Sequence, residues 1–229
     1  MALTVHVWSD VACPWCFVGK RRLETAVERF GEAVDVEWHS FELDPSRGSK
    51  NDLGYAERLA KKYGFPLSRA QGMLVQMTQT GQKDGIVFDF GKAVPASTFD
   101  AHRLIQLAGD RSLQNQLEER LFKAYFSEGV DLGDHAQLTR VAVEAGLDAD
   151  EVAAVLASDQ YADEVAADKA AARELGVSGV PFFVIGRYGV SGAQPTEHLL
   201  QVLDRANAEY VPEPEASLAE GAQCGLDGC

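Results

Sequence analysis

Two cysteines stand two residues apart in Cys13-Pro14-Trp15-Cys16. This spacing suits two chemistries: a small disulfide ring that opens and closes by thiol exchange, or half of a zinc site held by two thiolates. The zinc reading needs a second knuckle at ordinary spacing, and the sequence offers none. Its other two cysteines, Cys224 and Cys229, form a separate Cys-x4-Cys pair at the far end of the chain. Redox work is the expected chemistry, with no metal ligands and no cofactor assigned.

The residues around the motif supply the elements that would hold it. Leu3 to Trp8 reads as a buried strand, Ser9-Asp10-Val11-Ala12 as a turn, and Cys13-Pro14 as a helix start with proline at the first position. A helix start carries unpaired N–H groups and the positive end of the dipole. Cys13 is therefore expected as an exposed nucleophile, and Cys16, one turn further in, as the more buried resolving thiol. Phe17, Leu23, Val27 and Phe30 give the helix an apolar face, and Gly31 is placed to end it. Val34, Val36 and Trp38 then alternate with polar residues up to Phe41-Glu42-Leu43, a second strand joined through the helix and so parallel to the first.

Residues 50–172 follow a helical pattern, broken near residues 64–66, 83–85, 93–95, 109–110, 129–133 and 146. Ser97 or Thr98 can cap one of these helices. Phe182-Phe183-Val184-Ile185 and Tyr188-Gly189-Val190 straddle Gly186-Arg187 as a hairpin, ahead of a helix from about Pro195 to Ala208. The expected organisation is an α/β domain made of residues 1–49 and 173–208, an all-helical insertion over 50–172, and a flexible tail over 209–229.

On three features, Cys13-Pro14-Trp15-Cys16, Val180-Pro181 and the inserted helical block, the sequence resembles the DsbA-like group of the thioredoxin superfamily. The resemblance implies an α/β thioredoxin fold, βαβ then ββα, with a large helical insertion. It also implies a cis Val180-Pro181 bond that turns the Val180 backbone toward a docked peptide. Ser9 to Cys16, Phe41-Glu42-Leu43 and Thr98-Phe99-Asp100-Ala101-His102 look like the cytosolic FrnE-type branch, which shares a C-terminal Cys-x4-Cys pair.

The implied activity is a thiol–disulfide oxidoreductase, with disulfide isomerase as a further activity. Cys13 and Cys16 are then catalytic, while Pro14, Trp15, Val180 and Pro181 contact substrate. Cys224 and Cys229 would act as an auxiliary redox pair that relays electrons. The implied partners are protein or peptide disulfides and a cellular thiol couple such as thioredoxin or glutathione. Trp15 departs from the periplasmic DsbA pattern, which has histidine there, and a missing imidazolium predicts a less oxidising couple.

Two other classes stay open. Glutathione-dependent isomerases and kappa-type transferases resemble the chain in architecture but generally carry serine at the position of Cys13. A noncatalytic zinc or peptide-binding module predicts stoichiometric binding without turnover.

Lys and Arg number 21 against 35 Asp and Glu, and the resulting net charge of −14 opposes contact with nucleic acid or anionic lipid. No apolar stretch approaches the roughly 20 residues of a membrane span, and Met1-Ala2-Leu3-Thr4 runs into the first strand without a leader pattern. A cytoplasmic location follows as an expectation. Asp10 reads as a turn cap, and His39 and His102 as packed side chains.

Overall fold

The computed structural model describes residues 2–45 and 53–209. Strand β1 (Leu3–Ser9) leads into helix α1 (Pro14–Phe30), and β2 (Val34–Ser40) returns alongside β1. The expected parallel pairing is present, with Leu3 opposite Val34 and Ser9 opposite Ser40. Gly31 ends α1 in the left-handed region at φ 75°, a conformation that carries little steric cost for glycine. β2 stops at Ser40 rather than reaching Leu43. Phe41 N–H still donates to Ser9 O beyond it, but Leu43 N–H donates to the Asp10 carboxylate and not to a strand partner.

Seven helices follow: α2 (Tyr55–Tyr63), α3 (Leu67–Lys83), α4 (Phe99–Gly109), α5 (Gln114–Lys123), α6 (His135–Glu144), α7 (Ala149–Leu156) and α8 (Ala162–Glu174). α5 continues into a π-helical turn over Ala124–Glu128. Of the two cap candidates, Thr98 takes the N-cap position of α4 without a side-chain cap bond, and the Ser97 hydroxyl just before it accepts from Phe99 N–H at 3.2 Å. β3 (Phe182–Ile185), β4 (Tyr188–Ser191) and α9 (Thr196–Ala208) complete the order, which is the thioredoxin βαβ and ββα with helices inserted between them.

The sheet runs β2-β1-β3-β4, with β3 antiparallel to both neighbours. Period-two alternation gives it two different faces. Leu3, Val5 and Val7 enter the main core with Leu23 of α1, Phe183 and Ile185 of β3, and Leu199 and Leu203 of α9. Trp8 points the other way and packs with Ala172 of α8 and Val177. The insertion joins the main core through aromatic stacking, since Phe17 of α1 lies parallel to Phe122 of α5 at 4.9 Å between ring centroids. Leu104, Ile105, Leu107, Leu117, Leu121, Phe122 and Tyr125 are all buried there.

Candidate active site

Cys13 is the N-cap of α1, with extended backbone (φ −98°, ψ 111°), and Pro14 takes the first helical position. The turn before it is tied down by Asp10. The Asp10 backbone carbonyl accepts from Cys13 N–H at 2.8 Å, and its carboxylate accepts from Ala12 N–H at 3.1 Å and Leu43 N–H at 2.8 Å. The first turn of α1 carries no acidic side chain, so nothing there offsets the positive end of a 17-residue helix. Cys13 and Cys16 are both free thiols.

Cys13 is 4% exposed and Cys16 1%, so the expectation of an exposed first thiol is corrected. Cys13 belongs to the main apolar cluster, and its thiol donates toward the Val180 carbonyl at 3.6 Å. Burial pushes the Cys16 thiol well above its ordinary range, and the neighbouring Cys13 adds to the rise. Trp15, at 46% exposed, is the open member of the motif, and Pro14 is half-buried.

The Val180-Pro181 peptide bond is cis. Pro181 is buried and Val180 half-buried. Their approach to α1 depends on Gly19: a Cβ there would lie 2.9 Å from Pro181 Cγ and 3.1 Å from Phe183 Cζ. Five of the residues singled out from the sequence thus gather around one helix start: Cys13, Pro14, Trp15, Cys16 and, across from them, Val180. Pro181 follows on the helix flank. Cys224 and Cys229 lie outside the described residues.

The structure bears out Asp10 as a turn cap and His102 as a packed side chain, but sequence reasoning missed Glu118 and the pairing of His102 with Asp10. His102 of α4 and Glu118 of α5 are each 1% exposed, and His102 Nε2 lies 3.7 Å from Asp10 Oδ1, an ion-pair separation rather than a hydrogen bond. Burial works against the charge on Asp10, yet His102 and the two backbone N–H donors overcome it and leave its pKa lowered. Burial likewise opposes a charged His102, but Asp10 prevails and raises its pKa, with Glu118 and Glu42 adding to the rise. Burial drives Glu118 to about 7, only partly offset by His102 and by Lys20 of α1. Lys20 itself is 1% exposed and pairs with Glu24 and Glu119.

This network has a measurable signature. A group whose folded pKa is raised stabilises the fold fully below its unfolded value and loses that contribution as pH rises through the folded one. Glu118 and His102 both act in this direction. The gap between about 7 and the ordinary 4.5 of Glu118 corresponds to on the order of 3 kcal/mol. Glu118→Gln should therefore flatten the fall in stability between pH 5 and pH 8, read by urea unfolding at both values. An unchanged pH slope would remove Glu118 as its source.

Comparison with known proteins gives consistent relatives. The model of the DSBA-like thioredoxin domain matches residues 4–204. The chain is 33% identical over 195 residues to the uncharacterized protein YwbO of Bacillus subtilis, covering 83% of this chain and 92% of that one. It is similar to the crystal structure of the probable DsbA oxidoreductase SCO1869 from Streptomyces coelicolor, at 41% identity and TM-score 0.86, over 99% of this chain and 98% of that one. It also shares the fold of a 2-hydroxychromene-2-carboxylate isomerase, at 16% identity and TM-score 0.66, over 90% and 97% of the two chains.

Proposed function

The chain belongs to the DSBA-like thioredoxin domain family, and from that premise we propose that it is a thiol–disulfide oxidoreductase working through Cys13 and Cys16. The observation that carries this reading is a free dithiol at the start of α1 with the Val180 carbonyl 3.6 Å from Cys13 Sγ. The Cys13 thiolate attacks one sulfur of a substrate disulfide, forming a mixed disulfide and releasing the first substrate thiolate, which takes up a proton. The Cys16 sulfur then attacks Cys13 Sγ as its thiol proton passes to the departing second substrate sulfur. A Cys13–Cys16 disulfide forms, the second substrate thiol leaves, and two electrons have passed to the substrate. Reversal oxidises a dithiol.

Val180 and Pro181, with Pro14 and the exposed Trp15, form the surface for an extended protein or peptide substrate, to which Val180 offers main-chain contacts. Isomerase activity follows if the mixed disulfide is attacked by another substrate thiol before Cys16 resolves it. We assign the chain to the FrnE-type branch acting in the cytoplasm, with a less oxidising couple than periplasmic DsbA, re-reduced by thioredoxin or glutathione. Cys224 and Cys229 relay electrons between such a donor and the Cys13–Cys16 pair. Among the described residues no helix is long and apolar enough to cross a membrane.

The test is insulin-disulfide reduction with dithiothreitol, run beside a glutathione-conjugation assay on the same preparation. Catalysed insulin reduction is expected. Conjugation without insulin turnover would move the site to the glutathione-dependent class, whose overall fold the chain also shares.

A further inference from the structure

On the sheet face away from α1, three side chains with lone pairs converge. Glu37 and His39 are two residues apart on β2 and so share a face, and the parallel register sets His6 of β1 directly opposite Glu37. His6 Nδ1 lies 3.0 Å from His39 Nε2 and 3.2 Å from a Glu37 carboxylate oxygen. One ligand atom from each of the three falls within 4.8 Å of the others.

We propose that His6, Glu37 and His39 form a site for one zinc ion, held by His6 Nδ1, His39 Nε2 and the Glu37 carboxylate, with the fourth position left to water.

The proton inventory favours a cation here. His39 Nδ1 is 2.7 Å from Asp168 Oδ1 of α8, and a carboxylate only accepts, so Nδ1 carries the hydrogen. In neutral His39 the Nε2 is then a bare lone pair aimed at His6. Glu37 presents a second acceptor to the same His6 nitrogen, and one N–H cannot satisfy both well. A zinc ion at the centre satisfies all three.

Two of the three separations fit as well, and the exposed Glu37 side chain has room to close the third, which lies within 4.8 Å. Zinc–nitrogen bonds of about 2.0–2.1 Å at tetrahedral angles set neighbouring ligand atoms roughly 3.3 Å apart, a few tenths of an ångström from the two separations seen. Two histidines and one carboxylate with an open position is also a donor set that zinc accepts.

The surroundings already have the form of an outer shell. Asp168 is fixed by Ser40 N–H at 2.7 Å and by the Gln106 side-chain amide at 2.6 Å while it orients His39. Trp8 stacks on the His39 ring at 4.5 Å and donates its indole N–H to the Asp168 backbone carbonyl. His6 and Glu37, with side chains 38% and 56% exposed, leave a path for the ion and its water.

The experiment is a zinc titration followed by calorimetry. The sample is the full chain carrying Cys13→Ser, Cys16→Ser, Cys224→Ser and Cys229→Ser, so that no thiolate competes. The oxidised wild-type chain is the second sample, in case the serine replacements disturb folding.

One zinc per chain is expected. His6→Ala and His39→Ala should each weaken it at least 100-fold, and Glu37→Gln, at an exposed and near-isosteric position, at least tenfold. Asp168→Asn should cost about 10–100-fold with the stoichiometry kept, as loss of an outer-shell partner does. Absence of zinc binding in both samples would overturn the site, as would affinity unchanged within twofold in Glu37→Gln and His6→Ala.

Discussion

Cys13→Ser should abolish disulfide reduction, with insulin turnover falling by at least about 10³-fold, because a hydroxyl at that position neither ionises near neutral pH nor exchanges with a disulfide. Cys16→Ser should behave differently. It keeps the attacking sulfur but lacks the thiol that resolves the mixed disulfide, so the substrate should stay attached to Cys13. A mass increase equal to one bound substrate, reversed by dithiothreitol, is the readout. The contrast follows from placement: Cys13 caps the helix beside the Val180 carbonyl, whereas Cys16 lies inside the first turn with its thiol pKa driven up by burial. Equal turnover of wild type and Cys13→Ser would end the proposed mechanism.

Phe17→Ala should cause a large loss of stability. The ring is 1% exposed, stacked on Phe122 with 7° between planes and meeting Phe88 edge-on at 6.1 Å. Phe88 passes the contact on to Phe90 and Phe126, so one side chain ties α1 to the aromatic core of the insertion. Removing a buried phenyl ring costs about 3–5 kcal/mol, a large share of the 5–15 kcal/mol that domains usually possess. In a chain of this size that is a fall in melting temperature of roughly 10 °C. Urea unfolding gives the number directly, and a loss under about 1 kcal/mol would show that the insertion is held mainly by other contacts.

The sequence was most legible where local chemistry and fold agree. Proline at the helix start, glycine at its end, the apolar run of Leu3 to Trp8 and the alternation of Val34, Val36 and Trp38 located β1, α1 and β2 and hence the dithiol. The resemblance supplied the cis Val180-Pro181 bond, which local pattern alone leaves undetermined.

Other features depend on distant pairing. Asp10, His102 and Glu118 come from a loop and two separate helices, and nothing in the surroundings of any one of them announces the other two. Glu37 and His39 did carry a signal, the shared face of a strand, but His6 completes the cluster only through the β1–β2 register. The break between α7 and α8 was hidden for a backbone reason. The turn uses Tyr161 at φ 64°, where glycine would have marked it, and the tyrosine hydroxyl donates to Asp110 at 2.6 Å.

The spacing between the dithiol helix and the Val180-Pro181 loop is set by touch. At Gly19 the proline ring fills the volume a methyl group would need, so the two elements meet through van der Waals repulsion and not through a charge pair. Contact of this kind is neither screened by salt nor titrated by acid. The separation between α1 at Gly19 and the Pro181 ring should therefore stay constant across ionic strength and pH, even as the buried charges beneath the motif change state. The proposed thiol chemistry and the seating of the Pro181 loop are in that sense mechanically separate: protons adjust the first, and the shape of one glycine governs the second.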